Sequence, residues 1–214
     1  METLIIPARL PLFILSALVL LLTPGPAVLY IITRSVDQGR RAGLASVLGV
    51  ELGNSAHVVA ATLGLSAILL ASATAFSIVK YAGAAYLVYL GIRALLRPAA
   101  LKAVQPGAPK NLSRAFVQGV VVATLNPKTA LFFLAFLPQF VDVSKGSINM
   151  QFFFLGFLFV AMAVITDGLY ALLSGAAGGL LRRSVWFLRF QRYVAGTIYI
   201  GLGLTAAVTG EGSK

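Results

Sequence analysis

Six apolar runs dominate the chain, at residues 10–32, 44–71, 76–96, 115–141, 152–173 and 190–208, with short polar or basic stretches between them. A hydrocarbon core about 30 Å thick takes roughly 20 helical residues, and each run is near that length. A segment in lipid must satisfy its own backbone hydrogen bonds, which leaves helices or closed barrels. The alternating pattern of a membrane barrel is missing. The pattern predicts an all-α polytopic membrane protein with six transmembrane helices. The first run continues past Pro24-Gly25-Pro26 to Ile32 with no A-x-A site, so it reads as a retained helix rather than a cleaved leader.

Two runs carry interruptions. Thr23-Pro24-Gly25-Pro26 breaks the first near its middle, and Thr124-Leu125-Asn126-Pro127 breaks the fourth. Proline removes an N–H and clashes with the preceding turn. A linker at 97–114, with Pro98, Pro106 and Pro109, separates residues 1–96 from 115–209. Within a single domain spanning 1–214, each half holds three runs. Three is odd, so the halves face opposite ways. Further echoes run in the same order: Leu48-Gly49 with Leu155-Gly156, and Ala82-Gly83 and Tyr86 with Ala195-Gly196 and Tyr199. The expectation is two inverted three-helix repeats with broken first and fourth helices, a recurring layout of secondary transporters. Two kinks that merely shape packing are the simpler alternative.

Composition sharpens this picture. The 214 residues are 59% hydrophobic and 11% charged, which makes a soluble globular enzyme a poor fit. There is no cysteine, which excludes disulfides and thiolate metal sites. The net charge of +11 would suggest nucleic acid in a soluble protein. Here twelve of the basic residues fall in the first, third and fifth loops: Arg34, Arg40 and Arg41; Arg93, Arg97, Lys102, Lys110 and Arg114; Arg182, Arg183, Arg189 and Arg192. Only Arg9, Lys80, Lys145 and Lys214 lie on the other side. The positive-inside rule makes the linker cytoplasmic and puts both termini outside the cytoplasm. The stretch holding Arg182, Arg183, Trp186, Arg189 and Arg192 then suits an anionic headgroup layer, with no nucleic-acid role.

Four ionisable residues lie inside the runs, where charge is costly and by default functional. Asp167 shares a helix face with Ala163, Tyr170 and Ser174. It could exchange a proton, hold an ammonium, or pair with Lys128. Lys128 follows Pro127 at the fourth-run break and could neutralise Asp167, attract a carboxylate or snorkel to an interface. Glu51 shares a face with Asn54 and could line a pathway or simply be wetted near the cytoplasmic end. His57, the only histidine, is a proton-relay candidate or a packing residue. Gly49 and Gly53 form a G-x-x-x-G pair suited to close helix packing. The Phe132-Phe133 and Phe152-Phe153-Phe154 clusters read as packing or lipid-facing groups. One His with scattered carboxylates is a poor transition-metal site. There is no P-loop, G-x-S-x-G elbow or H-E-x-x-H motif, so neither a cofactor nor an enzyme activity is expected.

Thr23-Pro24-Gly25-Pro26, Gly39-Arg40-Arg41-Ala42-Gly43 and Gly49-Val50-Glu51-Leu52-Gly53 resemble the first half of the LysE/RhtB amino-acid exporters. Asn126-Pro127-Lys128, Leu137-Pro138-Gln139-Phe140, Asp167 and Ala195-Gly196 resemble the second half. The resemblance implies a six-span inner-membrane exporter of amino acids or related metabolites, driven by an ion gradient, most simply protons. It implies that Pro24, Gly25, Pro26, Asn126, Pro127 and Lys128 form the substrate site, with Asp167 nearby. Glu51, Asn54, His57 and Tyr170 are the pathway or relay candidates. Glu51 departs from the family pattern, in which a small or apolar residue is expected. The partners implied are a small-molecule substrate, the lipid bilayer and conceivably a second copy of the chain. A divalent-cation exporter using Glu51 and Asp167 as oxygen ligands is the alternative, and an intramembrane enzyme with His57 as base is a remote one.

Overall fold

Both proline interruptions end one helix and start another. In the computed structural model, which describes residues 9–65, 67, 72–96 and 111–176 and five positions between 193 and 204, the first run is two helices. They are α1 (Leu10–Leu22) and α2 (Pro26–Gln38), bent by 50°. Pro26 sits at the first position of α2, where a missing N–H costs nothing. The fourth run repeats this arrangement. α5 (Leu112–Thr124) gives way to α6 (Pro127–Leu131), which continues through a π-helical turn (Phe132–Phe136) and a 3-10 turn (Leu137–Phe140). The bend is 41°.

The other helices are α3 (Arg40–Ala60) with a π-helical turn at Ala61–Leu65, α4 (Ala73–Leu96) and α7 (Ile148–Ala176). No strand occurs among the described residues. Among the described residues, Arg40–Leu65 and Ile148–Ala176 are long and apolar enough to cross a membrane, and the number rises to four if each bent pair is one span. Helices outrun the apolar runs at several ends. α3 starts at Arg40 because Gly39, at φ +88°, turns the chain directly out of α2. The linker 97–110, the basic stretch 182–192 and nearly all of the sixth run lie outside the described residues.

The two bent pairs run antiparallel. Arg9, ahead of α1, reaches the carbonyl of Gln139 at the end of the second pair. At the opposite end, Tyr30 donates to the Ala115 carbonyl at 2.7 Å and Arg34 bonds Gln118. α3 lies directly on α5. A Cβ placed on Gly49 would stand 2.0 Å from the Phe116 carbonyl oxygen, and one on Gly53 2.7 Å from that of Val120. Gly119 makes the reciprocal approach to Ser46.

An aromatic core forms around the π-helical turn that follows α6. Phe132 stacks on Phe159 at 4.9 Å and packs against Phe13, Phe133 and Phe136. The second aromatic cluster divides: Phe152 is buried, while Phe153 and Phe154 face outward on α7. Gln151, fully buried, holds the 141–147 loop to the start of α7. It accepts from the Asp142 amide and donates to the Asp142 and Lys145 carbonyls.

Candidate functional site

A helix broken inside an apolar protein leaves carbonyls at one end and amides at the other. The carbonyls ending α1 are bonded by side chains from distant elements. Lys128 donates to Leu20 at 2.6 Å and to Thr23. Tyr170 donates to Leu22 at 2.9 Å. A cation at a helix C-terminus also meets the negative end of the macrodipole. Lys128 is buried rather than snorkelling, and two of its three donors are committed to backbone.

The second break is capped differently. Asn126 accepts from the Lys128 amide at 3.1 Å and donates to the Thr129 hydroxyl at 3.1 Å. His57 bonds the Ala123 carbonyl at 3.1 Å and stacks on Phe133. Its ring is thus built into α3–α5 packing, beside a helix end.

Between the breaks lies a cleft. Leu20, Leu21, Gly25, Ala27 and Val28 line it from the first bent pair, and Asn126, Lys128 and Thr129 from the second. Asn54 enters from α3, Phe159 and Asp167 from α7. Of the residues singled out by sequence, Gly25, Asn126, Lys128, Asp167 and Asn54 therefore meet in one place. Pro24, Pro26 and Pro127 do not line it, and Pro26 is exposed. Their part is to end and start helices. Tyr170 acts on the α1 terminus, while Gly49 and Gly53 lie at the α3–α5 contact.

Glu51 is only 6% exposed and Asp167 only 3%. Their carboxyl groups lie within hydrogen-bonding reach of each other. Asn54 donates to the second Glu51 oxygen at 3.0 Å. The sequence brings the two acids together only as joint ligands of a divalent cation, and offers Lys128 as one candidate partner of Asp167. The signal available was weak: Asn54 one turn after Glu51 marks a polar face, but nothing in it names the facing helix. Among the described residues, no three His, Asp or Glu side chains come together as a metal-binding group. The pair with Asn54 offers few oxygens for a hard divalent ion, which takes six or more, and Lys128 adds an opposing charge.

Apolar helices long enough to span a bilayer, enclosing a charged cleft at two helix breaks, define by class a membrane transport protein. The chain belongs to the LysE type translocator family, which it matches over residues 18–210. It is 30% identical over 195 residues to an uncharacterized membrane protein of Vibrio cholerae, covering 91% of this chain and 94% of that protein. It is 32% identical over 208 residues to an uncharacterized membrane protein of Pseudomonas aeruginosa, covering 91% and 93%. The homoserine/homoserine lactone efflux protein of Salmonella typhimurium is 30% identical over 162 residues, covering 76% of this chain and 78% of that one. No solved structure matches.

Proposed function

We propose that this translocator exports a small amino-acid-like metabolite from the cytoplasm across the inner membrane, against an inward flow of protons. The observation that carries the reading is the cleft itself, in which both helix breaks meet a buried carboxylate and a buried ammonium. The substrate's ammonium sits against Asp167. Its carboxyl or carbonyl end faces the remaining Lys128 donor and the first turn of α2, where amides lack intrahelical partners. Homoserine and its lactone, the compounds named for the Salmonella relative, have this chemistry.

The antiparallel bent pairs, each followed by a long helix, support an arrangement of six spans in two inverted repeats. The charge count supports a cytoplasmic linker with both termini outside. The test is flux in sealed proteoliposomes over a panel of amino acids, lactones and divalent cations, with and without a pH gradient. Gradient-driven flux of one amino-acid class, lost in Asp167→Asn, is expected. Flux of cations with every amino compound inert overturns the reading.

A further inference from the structure

Asp167 of α7 lines the cleft, and behind it the carboxyl group of Glu51, buried on α3, faces that of Asp167. Beyond this mutual contact, Oε1 of Glu51 and Oδ1 of Asp167 are enclosed without a partner, as is Oδ1 of Asn54. A carboxylate only accepts hydrogen bonds, so two of them in contact need a proton between them. Side by side and away from water, they cannot both remain charged.

Among the described residues, the other charges around the pair are few. Lys128 faces it from α6, and Tyr170 lies one turn along α7. α1 carries no titratable residue within Leu10–Leu22. Arg34 and Asp37 of α2 lie more than a turn beyond the cleft-lining Val28, and Arg114 stands at the start of α5. Arg40 and Arg41 begin α3, and its His57 is turned to the Ala123 carbonyl.

We propose that Glu51 and Asp167 hold one proton between them, and that the ammonium of the exported compound takes this proton's place. The inference rests on the exporter reading and adds to it the seat of the coupling proton and a function for Glu51. The exchange balances. The singly protonated pair carries one negative charge. When an ammonium enters, the proton leaves to water on that side, and two carboxylates with one ammonium again carry one negative charge. No covalent bond to carbon changes. With Lys128 opposite, the cleft is neutral in both states, provided the substrate brings no carboxylate. The site is therefore matched to monocationic α-amino compounds such as esters, lactones and amides. Return of a proton from the far side expels the amine.

The experiment uses the full chain in lipid nanodiscs and follows the protonated-carboxyl band by infrared difference spectroscopy during a pH titration. L-homoserine lactone is then added as probe, and released protons are counted with an indicator dye. In wild type, one protonated-carboxyl band is expected, and the lactone removes it with release of one proton per amine bound. The band is expected to disappear in Glu51→Gln and in Asp167→Asn, and to return in Glu51→Asp, with monodispersity in detergent verifying the fold of each. A wild type without the band, a band surviving both amide variants, or a band unmoved while lactone is transported overturns the proposal. If no amine is transported, the exporter reading fails, and the band in the variants still decides whether the pair holds a proton.

Discussion

The ammonium of Lys128 donates to the carbonyl of Leu20 at 2.6 Å, joining residues 108 apart in the chain. This contact makes Lys128 part of the framework of the first break as well as part of the cleft wall. Lys128→Met takes the ammonium from the Thr23 carbonyl and leaves the Leu20 carbonyl with only the Thr23 amide, at 3.1 Å. The expected cost is about 1–3 kcal/mol, read as a lower midpoint for thermal unfolding in detergent. Loss of flux in this variant consequently reports on folding unless the unfolding midpoint is measured beside it.

Tyr170→Phe is milder. It removes only the hydroxyl that bonds Leu22 at 2.9 Å. A side-chain hydrogen bond inside a membrane protein averages about 0.6 kcal/mol. A small drop in unfolding midpoint with retained flux is the expected outcome, and abolished flux in a stable variant would assign the hydroxyl a direct contact with substrate.

The α3–α5 contact allows a matched comparison. A Cβ on Gly49 would fall 2.0 Å from a backbone oxygen, whereas one on Gly64 meets nothing within 4 Å. Gly49→Ala must push two backbones apart, and overpacking costs about 1–3 kcal/mol or more. Gly64→Ala is expected to match wild type in yield of folded protein, measured by size-exclusion chromatography, while Gly49→Ala falls well below it.

The loop before α7 has its own pH dependence. The Ser144 hydroxyl and then its amide, at 2.6 and 2.9 Å, hold the Asp142 carboxyl below the usual carboxylate range. A group lowered on folding contributes stability above its unfolded value and loses it as pH falls through its folded one. Limited proteolysis of the 141–147 loop is expected to accelerate on acidification through that window. Asp142→Asn should cleave fast at every pH, and a wild-type rate flat with pH would remove the carboxylate from the account.

Charge balance separates the candidate substrates. One proton inward for one monocationic lactone outward moves no net charge, while one proton for a zwitterion moves one. Imposing a potassium-valinomycin potential, inside positive, should leave lactone efflux unchanged and slow homoserine efflux at fixed pH gradient. Equal sensitivity of both would exclude this stoichiometry.

Helices, breaks and several cleft residues are legible because each has a local cause. Apolar length sets α3 and α7, Pro26 and Pro127 set helix starts, and Asn126 is a cap placed just before a proline. The Glu51–Asp167 contact has no local cause. It depends on how α3 and α7 are rotated against each other, and position along an apolar run reports depth only, which leaves Glu51 open between a pathway residue and a wetted one near one end. For Lys128 the sequence offers Asp167, a substrate carboxylate or an interface as partners, since charged partners are visible in sequence and backbone carbonyls are not. His57 gave two readings because its partner, the Ala123 carbonyl, is equally silent.

Gly49, Gly53 and Gly119 bring the backbones of α3 and α5 together with no clearance for one to slide on the other. These two helices are therefore expected to move as one spine. In the proposed export cycle, a change in which face of the membrane the cleft opens to falls to the pieces around that spine, α1 and α6 foremost. The end of α1 is held by a lysine of α6 and a tyrosine of α7, contacts that can be traded from one carbonyl to the next as a climber changes handholds, with the spine as the wall.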